Sequence, residues 1–142
     1  MRRIERDEAS EYRRLRVALL GAGAVGSQVA ALLLRHGDEL ADRAGAVLEL
    51  TGIAVRDLDA PRDADLPREL FTTDPEPLLV GSDIVIELMG GIEPARTALL
   101  QAIGAGADVV TANKALLATH GPEIFDAADQ VGAQVYYEAA AA

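Results

Sequence analysis

The stretch VVTANKALLA, residues 109–118, holds Lys114, the only lysine among the 13 Lys and Arg residues of the chain. A guanidinium keeps its proton under ordinary conditions, whereas an ammonium is a compact charge with a tunable proton. A lone lysine in an arginine-biased chain is either chance or a place that needs such an ammonium, and the rest of the chain has to decide. A second group is GAGAVG, residues 21–26, which places glycines at 21, 23 and 26. In a strand–turn–helix the first glycine permits the tight turn and the second lets a pyrophosphate approach the backbone. The third lets the helix pack on the strand. Gly21, Ala22, Gly23, Ala24, Val25 and Gly26 thus form a candidate phosphate cradle at a helix N-terminus, where unpaired N–H groups and the dipole favour an anion.

Two further groups belong to the same chemistry. Gly90-Gly91 ends the run DIVIELM, where backbone must come close to the nicotinamide side of a dinucleotide. The acidic residue that accepts from the ribose hydroxyls is expected about 20 residues past the glycine turn. Glu49 fits that count but falls early in its strand, while Arg56 and Asp57 fit the strand end. An arginine there can pair with a 2′-phosphate and an aspartate can accept from a 2′-hydroxyl. NAD and NADP both stay open, with Arg56 favouring NADP. Lys114, beside the nicotinamide, could hold a substrate oxygen and assist proton transfer as hydride moves.

The elements that must position these groups alternate. LRVALL (15–20) reads as a buried strand, and the helix after it places Val25, Val29, Leu32 and Leu33 on one face until His36-Gly37. A polar connection with a possible short helix (38–46) leads to a strand over 47–57. A proline-bearing loop, the turn Asp74-Pro75 and a short element precede the strand DIVIELM (83–89). Pro94 opens a helix ending near Gly104 and Gly106, DVVTA (108–112) is a strand, a helix begins near Pro122, and QVYYEA (134–139) closes the series. A helical turn is also expected just after Lys114. Such alternation predicts an α/β, Rossmann-type doubly wound, mostly parallel sheet with helices on both faces. Residues 1–14 read as a charged, solvated leader and 15–142 as one dinucleotide-binding domain.

Composition narrows the class. The net charge of −10 argues against a nucleic-acid partner, and the absence of cysteine removes disulfides, thiolate metal sites and a cysteine nucleophile. No apolar run is long enough for a membrane span, and the charged start lacks a signal-peptide core, so a cytoplasmic protein is expected. His36 reads as a helix C-terminal residue and His120 as a helix-start or surface histidine. Glu87 reads as buried with a hydrogen-bond partner, Asp57, Asp59, Asp63 and Asp65 as solvated loop, and one of Tyr136 and Tyr137 as facing the core.

GAGAVG after LRVALL, together with ELMGGIEPA, VVTANKALLA and the closing YYEAA, resembles the amino-terminal half of homoserine dehydrogenase from about residue 15 onward. The pair ELMGG and TANK is far more specific than the glycine turn. The resemblance implies an oxidoreductase that interconverts homoserine and aspartate semialdehyde with NAD(P)(H), in the branch leading to threonine, methionine and isoleucine, and a homodimer when full length. It assigns residues 21–26 to the pyrophosphate, Arg56 to the adenosine ribose or its 2′-phosphate, and Gly90 and Gly91 to the nicotinamide neighbourhood, with Thr111 also cofactor-binding. Lys114 becomes the group touching cofactor and substrate, and Glu138 a backbone ligand of a sodium ion. The family's substrate domain follows its YEAA segment, and this chain reads AAAA there. The expectation is a cofactor domain without useful turnover alone. Alternatives are another amino-acid dehydrogenase such as an aspartate dehydrogenase, or a non-enzymatic dinucleotide sensor.

Overall fold

The structure, a computed structural model, describes residues 13–60 and 65–137. Six strands, β1 (Arg13–Leu20), β2 (Ala46–Ala54), β3 (Phe71–Thr72), β4 (Ile84–Glu87), β5 (Asp108–Thr111) and β6 (Val135–Tyr137), form one sheet in the order β3-β2-β1-β4-β5-β6. Every neighbouring pair is parallel. Parallel neighbours need crossovers, supplied by α1 (Ala24–Arg35), α2 (Gly37–Ala44), α3 (Glu76–Gly81), α4 (Ala95–Gly104) and α5 (Lys114–Val131). Successive strand residues point to opposite faces. Ala18 and Leu20 of β1 accordingly pack with Leu99, Ile103, Leu116 and Ile124 of α4 and α5, while Val17 and Leu19 pack with Ala30 and Leu33 of α1.

The strand order reverses at β1, which pairs with β2 on one side and β4 on the other. In a doubly wound sheet the crevice outside the carboxyl ends at this reversal is where ligands sit. The glycine turn, Arg56, Asp57, Gly90, Gly91 and Lys114 follow carboxyl ends of strands around it.

Several expectations need correcting. β1 begins at Arg13, so the last two residues of the expected leader are strand; residues 1–12 lie outside the described part. β3 was not expected, and its two residues carry too little pattern to announce a strand. On α1, Val25 and Leu32 are 63% and 47% exposed, and the buried stripe is Gly26, Ser27, Ala30 and Leu33. The small residues lie inward because the helix packs closely on the strand. The helical turn expected just after Lys114 and the helix expected near Pro122 are both present, joined into α5 across a kink at His120. Neither Tyr136 nor Tyr137 is buried: they are 54% and 50% exposed on the edge strand, with the Tyr137 ring against Phe125. The short helix over 37–44, the role of His36 as C-cap of α1 and the surface position of His120 agree with the sequence reading.

Helices α4 and α5 are tied by Arg96. Its Nε and Nη2 donate to the two carboxylate oxygens of Glu123 at 2.8 and 2.6 Å, and Nη1 donates to Glu93 at 3.1 Å. The Arg96 fork holds the Glu123 carboxyl below its ordinary value of 4.5. Hydrogen bonds from the Thr97 hydroxyl and N–H do the same, first among the causes, for Glu93. Depressed carboxyl values stabilise the fold above pH 4.5, and that contribution disappears as pH falls through the folded-state values. Denaturation midpoints of Arg96→Gln should therefore lie below wild type at pH 7 and converge on it in acid. A gap independent of pH would remove the electrostatic account.

Candidate functional site

The turn after β1 is held from both sides. Gly21 N–H donates to the Ala54 carbonyl at 2.9 Å, and Leu88 N–H donates to the Leu20 carbonyl at 2.8 Å. Gly21 has φ +103°, and a Cβ there would lie 3.0 Å from the Leu88 carbonyl oxygen. A Cβ on Gly26 would lie 2.5 Å from the Gly21 carbonyl oxygen. These two glycines are required by the protein itself. Gly23 is different, because a Cβ there meets nothing within 4 Å and its φ of −71° suits any residue. The fold gives no reason for that glycine, and the space beside it opens to a ligand.

Gly23 is the N-cap of α1, with no side-chain cap hydrogen bond and no acidic residue in the first turn. Such a helix start offers N–H groups and the positive dipole end to an anion. Gly21, Ala22 and Gly23 line a cavity of about 860 Å³ whose other walls include Val55, Arg56 and Asp57 past β2, and Met89 and Pro94 past β4. The volume lies within the ordinary range of small-molecule sites. Arg56 and Asp57 are both exposed at its rim, whereas Glu49 is on the exposed part of β2, away from these walls. Ala24, Val25 and Gly26 form the first turn of α1 behind the cavity wall.

The remaining candidates sit along the next strand ends rather than in that wall. Gly90 and Gly91 both have φ +76°, with open space where a side chain would stand. Two glycines are thus demanded by the turn's own conformation, where the sequence had suggested ligand approach as the reason for the second. Asn113 is the N-cap of α5, its Oδ1 accepting from Leu116 N–H at 3.1 Å, and it places Lys114 as the exposed first residue of that helix. Asn113 Nδ2 donates to the Gly91 carbonyl at 2.6 Å, which joins the two loops. Thr111 is only 2% exposed and its hydroxyl donates to Glu87, so its side chain faces the interior network.

Glu87 is buried and hydrogen-bonded, as its place among apolar residues suggested. The number of its partners was not legible, since they come from two segments and Thr111 and Asn113 lie 24 and 26 residues away. The aspartates of the 57–65 loop form no metal cluster among the described residues, and Glu138, the expected sodium ligand, lies outside them. No helix among the described residues is long and apolar enough to cross a membrane.

This geometry has close counterparts. The family model described as the NAD-binding domain of homoserine dehydrogenase matches residues 21–138. The homoserine dehydrogenase of Corynebacterium glutamicum is 49% identical over 128 residues, covering 89% of this chain and 28% of that protein. That of Synechocystis is 44% identical, covering 89% and 29%. Among solved structures, a homoserine dehydrogenase from Thiobacillus denitrificans superposes with a TM-score of 0.78 at 41% identity, over 91% of this chain and 30% of that one. The enzyme from S. aureus at pH 7.5 gives 0.82 at 34% identity, over 92% and 34%. The chain thus spans about 30% of the length of the curated relatives it matches. With a Gly-x-Gly turn at the strand reversal, a doubled glycine after β4 and Asn-Lys opening α5, this chain belongs to the family of homoserine dehydrogenase NAD-binding domains.

Proposed function

We propose that the chain is the cofactor domain of an NAD(P)-dependent homoserine dehydrogenase, an enzyme interconverting L-homoserine and L-aspartate 4-semialdehyde. The observation that carries this reading is Gly23: within a family of dinucleotide domains, the one glycine of the turn with no steric duty borders the open cavity. Residues 21–26 would hold the pyrophosphate through main-chain N–H groups. Arg56 and Asp57 would meet the adenosine ribose, with Arg56 favouring a 2′-phosphate and so NADP. Gly90 and Gly91 would leave room for the nicotinamide end, and Lys114 would hold the substrate oxygen and move its proton. The nicotinamide, when bound, supplies or accepts the hydride.

This reading makes the protein a cytoplasmic enzyme of threonine, methionine and isoleucine biosynthesis. It acts as a homodimer when joined to a substrate-binding portion, which would carry a sodium site to which Glu138 contributes. The 15–142 domain by itself would bind cofactor without useful turnover. All four proteins named above are homoserine dehydrogenases. That favours this reading over an aspartate dehydrogenase or a dinucleotide sensor.

Calorimetric titration with NAD and NADP tests it directly. Wild type should bind at least one, while Gly23→Ala loses measurable binding and keeps its stability within about 1 kcal/mol, the ordinary scale of an N-cap change. Equal binding by wild type and Gly23→Ala would contradict the cradle.

A further inference from the structure

Glu87 has a role that the sheet alone does not require. It is 1% exposed, and β4 and β5 are already held in register by the main chain, Glu87 opposite Thr111. An aliphatic residue would fill such a place, and a buried carboxylate is costly unless its oxygens are satisfied. Here they are. Oε2 accepts from the N–H groups of Met89 and Gly90, both at 2.9 Å, and from Asn113 Nδ2 at 3.4 Å. Oε1 accepts from the Thr111 hydroxyl at 2.5 Å. Thr111 Oγ1 in turn accepts from Asn113 N–H at 3.0 Å.

As arranged here all these partners donate, a set that a carboxylate satisfies outright and a carboxamide only by turning the Thr111 hydroxyl from donor to acceptor. They also come from two separate segments, the turn after β4 and the end of β5 with the start of α5. Met89 and Gly90 begin the doubled-glycine turn; Thr111 and Asn113 lead into α5 and set its first residue, Lys114. Loops at strand ends are the parts of such a fold freest to shift. One buried carboxylate between them makes the two turns a single rigid unit.

We propose that Glu87 is a positioning residue: through Gly90, Thr111 and Asn113 it locks the doubled-glycine turn to the start of α5 and so fixes Lys114 relative to the nicotinamide end of a bound dinucleotide. This inference rests on the dinucleotide reading above.

Because Lys114 is the only lysine, reductive methylation with 13C-formaldehyde labels one side-chain amine, resolved from the N-terminal amine by NMR. The 142-residue chain is titrated with ADP-ribose, which lacks nicotinamide, and with whichever of NAD and NADP binds. In wild type, the full dinucleotide should shift the Lys114 signal and ADP-ribose should not. In Glu87→Gln and Thr111→Val, ADP-ribose affinity should stay within about twofold, since neither side chain shares a hydrogen bond with the Gly21–Gly23 turn or Arg56. The dinucleotide-induced Lys114 shift should be lost in both and recovered in Thr111→Ser, which restores the hydroxyl. Should Glu87→Gln fail to fold, Thr111→Val carries the comparison, with melting curves recorded for each. Persistence of the shift in the folded variants overturns the proposal. So does its absence in wild type that binds dinucleotide, or an equal loss of both ligands. Wild type binding neither ligand would instead remove the dinucleotide reading itself.

Discussion

Gly26→Ala is expected to cost about 3 kcal/mol or more, the upper end for inserting a methyl into a packed site, and so a large share of the roughly 5–15 kcal/mol that holds a domain folded. The added Cβ would lie 2.5 Å from the Gly21 carbonyl oxygen and 3.1 Å from its carbon. Both are backbone atoms, so no side-chain rotation relieves the contact. Gly21 cannot retreat either. Its N–H is bonded to Ala54, and its other side is closed by the Leu88 carbonyl. Relief would require moving α1 off β1, exposing Ala30 and Leu33 and opening the core they share with Val17 and Leu19. A denaturant midpoint compared with wild type measures the effect, and a wild-type midpoint would refute the packing argument. Gly23→Ala, three residues away in the same motif, is the internal contrast.

That contrast shows where sequence reading reaches and where it stops. The steric duties of Gly21 and Gly26 were legible because the spacing encodes backbone geometry, and geometry of that kind is local. The parallel sheet was legible for the same reason, since buried runs such as VALL and DIVIE alternate with helical spacing. On α1 the inward placing of Val29 and Leu33 was legible, while Val25 and Leu32 face outward despite having the hydrophobicity of core residues. Close packing on β1 instead selects size, favouring Gly26, Ser27 and Ala30. β3 escaped notice because two residues carry no period. The turn after Lys114 and the helix at Pro122 were legible from Asn113 and the proline, whereas their joining across the His120 kink depends on tertiary packing. Burial of Glu87 with a hydrogen-bond partner was legible, but its bonds to Thr111 and Asn113 were not, because the β4–β5 register rather than the chain brings those residues to it.

Lys114→Ala should separate chemistry from stability more sharply than any other change. In a protein that joins this domain to the substrate-binding portion of the family, turnover should fall by about 10²–10⁴-fold, the range for losing a positioned proton-transfer group. Folding should move by less than about 1 kcal/mol, because the side chain is exposed and surface charge contacts contribute little. Its position even opposes the helix dipole, since a cation at the first residue of α5 faces the positive end. The helix dipole therefore gives no reason for choosing a lysine here. Lys114→Arg refines the test. It keeps the positive charge and the stem, yet its guanidinium holds its proton too firmly to exchange it. If Lys114 only attracts an anionic group, the arginine variant should retain most of the turnover; if it moves a proton, arginine should fail nearly as badly as alanine. Wild-type rates in Lys114→Ala would exclude both roles. Steady-state kinetics of the three proteins, with melting curves to show that each is folded, decide among these outcomes.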